Sequence, residues 1–101
     1  MAPVPNVTHV VLVSWRDGEA GRAEQVVRPL VAEFPRTIPD VLGVVEGHSS
    51  SPEGLEAGYD YALVVTFASA AARDVYLDHP AHRPVSEAIR THAERIVVFD
   101  V

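Results

Sequence analysis

The stretch Tyr76-Leu77-Asp78-His79-Pro80-Ala81-His82 decides how the second half of the chain is read. Ser69 can cap a helix over Ala70 to about Leu77. His79-Pro80 stops it, because proline lacks a backbone donor and pushes the residue before it out of helical dihedrals. Helical spacing resumes from about Pro84 to Glu94, with Val85, Ala88, Ile89 and Ala93 on the expected buried side. The two pieces are therefore taken as one interrupted crossover. Tyr76 and His82 lie six residues apart, on different faces of any straight helix. A break at Pro80 can turn the second back toward the first. An imidazole beside a phenol suits acid/base work near neutral pH.

Working outward, Tyr59 to Phe67 reads as a strand with Tyr59, Tyr61, Leu63, Val65 and Phe67 on one face. Val7 to Trp15 is another, with Val7, His9, Val11, Val13 and Trp15 on one side and Thr8, Val10, Leu12 and Ser14 on the other. Arg16-Asp17-Gly18 turns the chain. Glu19 to Phe34 is helical by the spacing of Ala20, Ala23, Val27, Leu30, Val31 and Phe34, with a kink or early break expected at Pro29. Pro35 to Asp40 is a loop, Val41 to Glu46 a short strand, and the polar run of residues 47–54 a long loop. Ile96 to Val101 is the last strand.

The order β-α-β-β-α-α-β is the α+β, ferredoxin-like split βαβ arrangement. It implies a four-stranded antiparallel sheet with helices on one face. The other face, with Val10, Leu12, Val64 and Val98 as candidates, is left bare, and an exposed apolar patch of that kind marks an interface. Residues 1–6 are expected to be an N-terminal tail and residues 7–101 a single domain.

The bulk numbers narrow the function. A chain of 101 residues makes one domain, and a small one gains stability from a partner subunit. A net charge of −6 argues against nucleic acid and anionic membrane as partners. With no cysteine there is no disulfide, thiolate nucleophile or zinc–thiolate site. No apolar run approaches the roughly 20 residues that span a bilayer, and the first residues lack a signal-peptide pattern, so a soluble cytoplasmic protein is expected. The histidines show no metal-ligand spacing, and neither a metal nor another cofactor is expected.

Thr8-His9-Val10-Val11-Leu12, Ser51-Pro52-Glu53-Gly54-Leu55, the run from Gly58-Tyr59-Asp60-Tyr61-Ala62 to Phe67, and Tyr76…His79-Pro80-Ala81-His82 occur in that order. Together they resemble the stress-responsive dimeric α/β-barrel (Dabb) family over nearly the whole chain. The resemblance implies two subunits packed sheet against sheet. A plant member of the family closes a linear polyketide by aldol condensation with a tyrosine–histidine pair, and Tyr76 and His82 match that pair. His9 matches a histidine on its first strand. Two departures bear on the substrate: Tyr61 stands where that enzyme has a further histidine, and Ala93 where it has a tryptophan.

On this reading His82 is a general base that takes a proton from a carbon flanked by carbonyls. Tyr76 orients it or hydrogen-bonds the developing enolate. His9, Val11, Val13, Phe34, Tyr61, Leu63 and Ile89 would line an apolar substrate pocket. Plainer readings stand beside these. His79 and His82 can serve as helix-stop caps, His9 as a satisfied core histidine, and Tyr61 as an interior phenol bonded to backbone. His48 is expected in solvent, and His92 at the surface or the helix end. Three functions follow. The first is a cofactor-independent, cyclase-like lyase acting on a carbonyl-rich apolar molecule. The second is a non-catalytic, stress-related dimer that holds a hydrophobic small molecule. The third is a cofactor-free monooxygenase, for which only Trp15 is suited.

Overall fold

A run of β-branched and aromatic residues makes β1 (Val7–Trp15) a strand, and one face of it is covered: His9, Val11, Val13 and Trp15 are buried, and the residues between are mostly half-exposed. The computed structural model describes residues 4–101, so the first three residues of the expected tail lie outside it. After β1 come α1 (Ala20–Ala32), α2 (Phe34–Thr37), β2 (Val41–His48), β3 (Tyr61–Phe67), α3 (Ala70–Leu77), α4 (Arg83–His92) and β4 (Ala93–Asp100). All strand pairs are antiparallel in the order β2-β3-β1-β4, which is the ferredoxin-like arrangement.

The first and last strands pair, β1 inside the sheet and β4 at its edge, with Val11 opposite Val98 and Val13 opposite Ile96. The register slips between Ser14 and Trp15, where a bulge ends the regular pairing. On the inner face, Val27, Val31, Phe34, Val65, Phe67, Tyr76 and Val85 are fully buried. Each aliphatic side chain withdrawn from water in this way contributes about 1.5–3 kcal/mol.

Several boundaries differ from those expected. Pro29 lies inside α1, which runs on to Ala32 without an early break. Phe34–Thr37 forms its own short turn where a loop was expected, because Pro35 sits at the start of a helix, where no donor is needed. Leu30 is exposed rather than buried, since Val27 and Val31 already fill that face. β2 extends to His48, and β3 starts at Tyr61, leaving Tyr59 outside the strand under the Arg95 guanidinium. α4 ends at His92, so Ala93 opens β4 instead of packing as helix.

Val98 is the one misassigned face. Its partner Val11 points to the helices, and paired residues point the same way, so Val98 belongs to the inner side. Val97 and Phe99 instead share the outer face with Leu12 and Val10. That face also carries Val64 and Val45, and no helix among the described residues covers it; Val45 is 71% and Phe99 64% exposed.

Candidate active site

Ser69 accepts a hydrogen bond from the Ala72 amide at 3.1 Å and so fixes the start of α3. Ala72 and Tyr76, one turn apart, then face inward and are buried. The Tyr76 ring meets Phe67 at 4.9 Å, Phe34 at 5.4 Å and His9 at 5.6 Å between centroids. Burial drives its phenol pKa well above the ordinary value, so the hydroxyl stays protonated. That hydroxyl is buried and has no hydrogen-bond partner among the described residues. An orphaned buried hydroxyl costs about 1–3 kcal/mol and asks for an explanation.

Beyond Leu77 the chain turns instead of unravelling. The His79 amide donates to the Tyr76 carbonyl and the His82 amide to the His79 carbonyl, at 3.1 and 3.0 Å. His79 Nδ1 accepts from the Ala81 amide at 3.0 Å, so His79 acts within the turn. The turn returns His82 over Tyr76, with centroids 4.2 Å apart and planes tilted by 35°. The expected pair is therefore brought together, but by stacking and not by a direct hydrogen bond.

His82 Nδ1 lies 3.3 Å from the Leu77 carbonyl oxygen. A carbonyl can only accept, so Nδ1 carries the proton and Nε2 keeps its lone pair. Burial lowers the His82 pKa from its ordinary 6.5, helped by the nearby charges of His9 and Arg90 and opposed by the Leu77 contact. The ring is neutral at pH 7 and can accept a proton.

Both rings line a cavity of about 190 Å³ between α3, α4 and the inner face of β1 and β4. His9, Val11, Leu63 and Ile89 line it as expected. Val13, Phe34 and Tyr61 do not. Val13 is enclosed in the core, and Phe34 backs Tyr76 from behind. Tyr61 pairs with Val13 toward the far end of the sheet, where its hydroxyl donates to Glu46 at 2.7 Å. Trp15 is nearby and donates to Glu24 at 3.0 Å. His48 ends β2 against Glu24 at 2.8 Å, and His92 ends α4 against Glu19 at 2.9 Å.

His9 is not a lone core histidine. Its Nδ1 meets Asp100 Oδ1 at 2.6 Å, and Arg73 holds the other oxygen at 2.8 Å. Sequence reasoning missed Asp100 and also Ser86, Arg90, Ile96 and Val98 in the cavity wall. His82, Ser86 and Arg90 recur at four-residue spacing along one helix face, a signal that was there to be read. Among the described residues no group of three or more histidine and carboxylate side chains could hold a metal ion, and no helix is long and apolar enough to cross a membrane.

A ferredoxin-like sheet with helices on one face and an aromatic-walled cavity beneath them defines a class of small α+β domains. The chain belongs to the Stress responsive A/B Barrel Domain family, Dabb, whose family model matches residues 7–101. It is similar to olivetolic acid cyclase of Cannabis sativa, 24% identical over 94 residues that cover 93% of each protein. Among solved structures it resembles a dimeric ferredoxin-like protein of unknown function from Jannaschia sp. CCS1. That match has a TM-score of 0.87 and 20% identity, and covers 96% of this chain and 98% of the other. It also resembles the hydroxynitrile lyase of Passiflora edulis, with a TM-score of 0.84 and 19% identity, over 98% of this chain and 94% of that one.

Proposed function

We propose that this protein is a cofactor-independent enzyme that enolises, and in consequence cyclises or cleaves, an apolar molecule rich in carbonyl groups. The observation that carries the reading is the Tyr76–His82 stack: a buried phenol with no partner against an imidazole that burial keeps neutral. His82 Nε2 takes the proton from the carbon between two carbonyls. The Tyr76 hydroxyl, held protonated, donates to the oxygen on which charge develops. His9, fixed by Asp100, lies edge-on to Tyr76 in the same wall and can bind a second carbonyl. The apolar remainder of the wall suits such a substrate and keeps water from competing for the donor. A cyclase and a lyase among the relatives are in keeping with carbanion chemistry in this cavity. Trp15, which the monooxygenase reading needs beside its substrate, lies outside the cavity walls and is already bonded to Glu24.

The same reading takes the protein as a homodimer. The uncovered apolar face with Leu12, Val45, Val64 and Phe99 supports it, as do relatives of this fold that are described as dimeric.

The test is exchange of the methylene protons of a β-diketone in deuterated water, followed by NMR. Wild type should accelerate exchange over buffer, and His82→Gln should abolish the acceleration. Binding of the diketone with no acceleration of exchange would leave a small-molecule-binding barrel instead of an enzyme.

A further inference from the structure

The cavity does not end at His82. A second hollow of about 190 Å³, lined by Leu77, His82, Arg83, Ser86, Glu87 and Arg90, adjoins it. Leu77, His82, Ser86 and Arg90 belong to the walls of both. The second hollow is the polar one. It has two guanidiniums and a hydroxyl, set against one carboxylate, in a chain whose net charge is −6.

Three exposed arginines, Arg22, Arg83 and Arg90, make no ion pair or hydrogen bond among the described residues, and of these Arg83 and Arg90 border the hollow. Arg28, Arg36 and Arg73 are paired with carboxylates, and Arg16 and Arg95 donate to backbone carbonyls. Glu87 sits between Arg83 and Arg90 on the same helix yet pairs with neither. Ser86 Oγ is likewise without a partner among the described residues. Donors left free around one hollow form a receptor for oxygen anions, since a guanidinium offers a planar fork that matches a carboxylate or a phosphate.

We propose that this annex is an anion subsite, in which Arg90, Arg83 and Ser86 hold the negatively charged end of the substrate. This rests on the reading of the cavity as a substrate site, and it narrows the substrate to an acyl chain with β-carbonyls that ends in an acidic oxygen group. An anion held by Arg90 leaves the apolar chain to fill the main cavity, and the bonds between them pass His82, which both hollows share. The acidic end can be the substrate's own carboxylate or a phosphate on a carrier.

The test is binding, measured by calorimetry, of three probes: β-keto octanoate, its neutral methyl ester and octyl phosphate. Wild type should bind the acid roughly tenfold more tightly than the ester, the size expected for a charge-assisted pair at a partly exposed site. Arg90→Gln should erase that preference, with an unchanged circular dichroism spectrum and melting temperature showing that the variant is folded. Glu87→Gln should strengthen binding of the acid. Equal affinities of wild type for acid and ester, or a preference that survives in both Arg90→Gln and Arg83→Gln, would overturn the proposal. Octyl phosphate binding more tightly than the acid, and losing that affinity in Arg90→Gln, would support the subsite and assign it to a phosphate. These readouts need no chemistry. If His82→Gln leaves proton exchange intact while the acid preference holds, the enzymatic reading fails and the subsite stands.

Discussion

His9 on the first strand and Asp100 at the end of the last are joined by a 2.6 Å contact, and Arg73 from α3 closes on the same carboxylate. Three elements thus meet beside the cavity. Burial works against the Asp100 carboxylate, but the bonds from Arg73 and His9 outweigh it and hold its pKa below the ordinary 3.8. A carboxylate with a depressed folded pKa stabilises the fold above its unfolded pKa, and that stability is lost as pH falls through the folded value. Wild type should therefore lose melting temperature below about pH 4. Asp100→Asn should be less stable near neutral pH by about 1 kcal/mol, a modest value because the pair is partly exposed to solvent. It should also show a shallower loss in acid. Melting curves across this range, with an unchanged acid limb in Asp100→Asn, would show that the clamp contributes nothing.

Tyr76→Phe should separate stability from activity. The hydroxyl has no partner, so removing it relieves a buried polar group, and the ring contacts remain. The variant should be as stable as wild type or up to about 1 kcal/mol more so, while the exchange rate falls. Urea denaturation and the exchange assay read the two effects on the same sample. A clear loss of stability would mean that the hydroxyl has a partner in solution.

His82→Ala should lower turnover by roughly 10²–10⁴-fold, the usual contribution of a general base. The pH profile carries the finer test. The base must be neutral, and burial lowers its pKa from 6.5, so the rate should stay level from neutral pH down past that value. It should fall only on the more acidic side. A profile that breaks above 6.5 would assign the base to another group.

Leu12→Asp or Val64→Asp should break the dimer, because an unpaired carboxylate would be trapped in an apolar interface at a cost of several kcal/mol. The interface should bury about 2,000 Å² or more in total. Sedimentation at micromolar concentration distinguishes the outcomes. Wild type that sediments only as monomer, or Asp variants that remain dimers with unchanged melting, would refute this use of the outer face.

What could be read from the sequence was what neighbouring residues encode. β1 and β3 are marked by β-branched and aromatic residues and α3 by its cap, and the helix stop at His79-Pro80 brought Tyr76 and His82 together as expected. What could not be read depends on pairing between distant residues. Ile96, Val97, Val98 and Phe99 are all apolar, so alternation says nothing about which face Val98 takes; only its pairing with Val11 decides. Tyr61 was placed on the correct side of its strand, yet register sets it near Trp15 and Glu46, away from the cavity. Asp100 had no local mark at all, since its partner is 91 residues away.

That separation bears on how the cavity comes into being. Its walls combine the first strand with the last, and the central strand gains its second neighbour only when β4 arrives. Loop closure over nearly the whole chain must precede those contacts, which slows folding relative to domains built from local contacts. A chain stalled before β4 docks can have α3 and Tyr76 in place while one wall of the cavity is missing. Ligand-binding competence should therefore appear in the final kinetic phase of refolding, after most helical signal has returned.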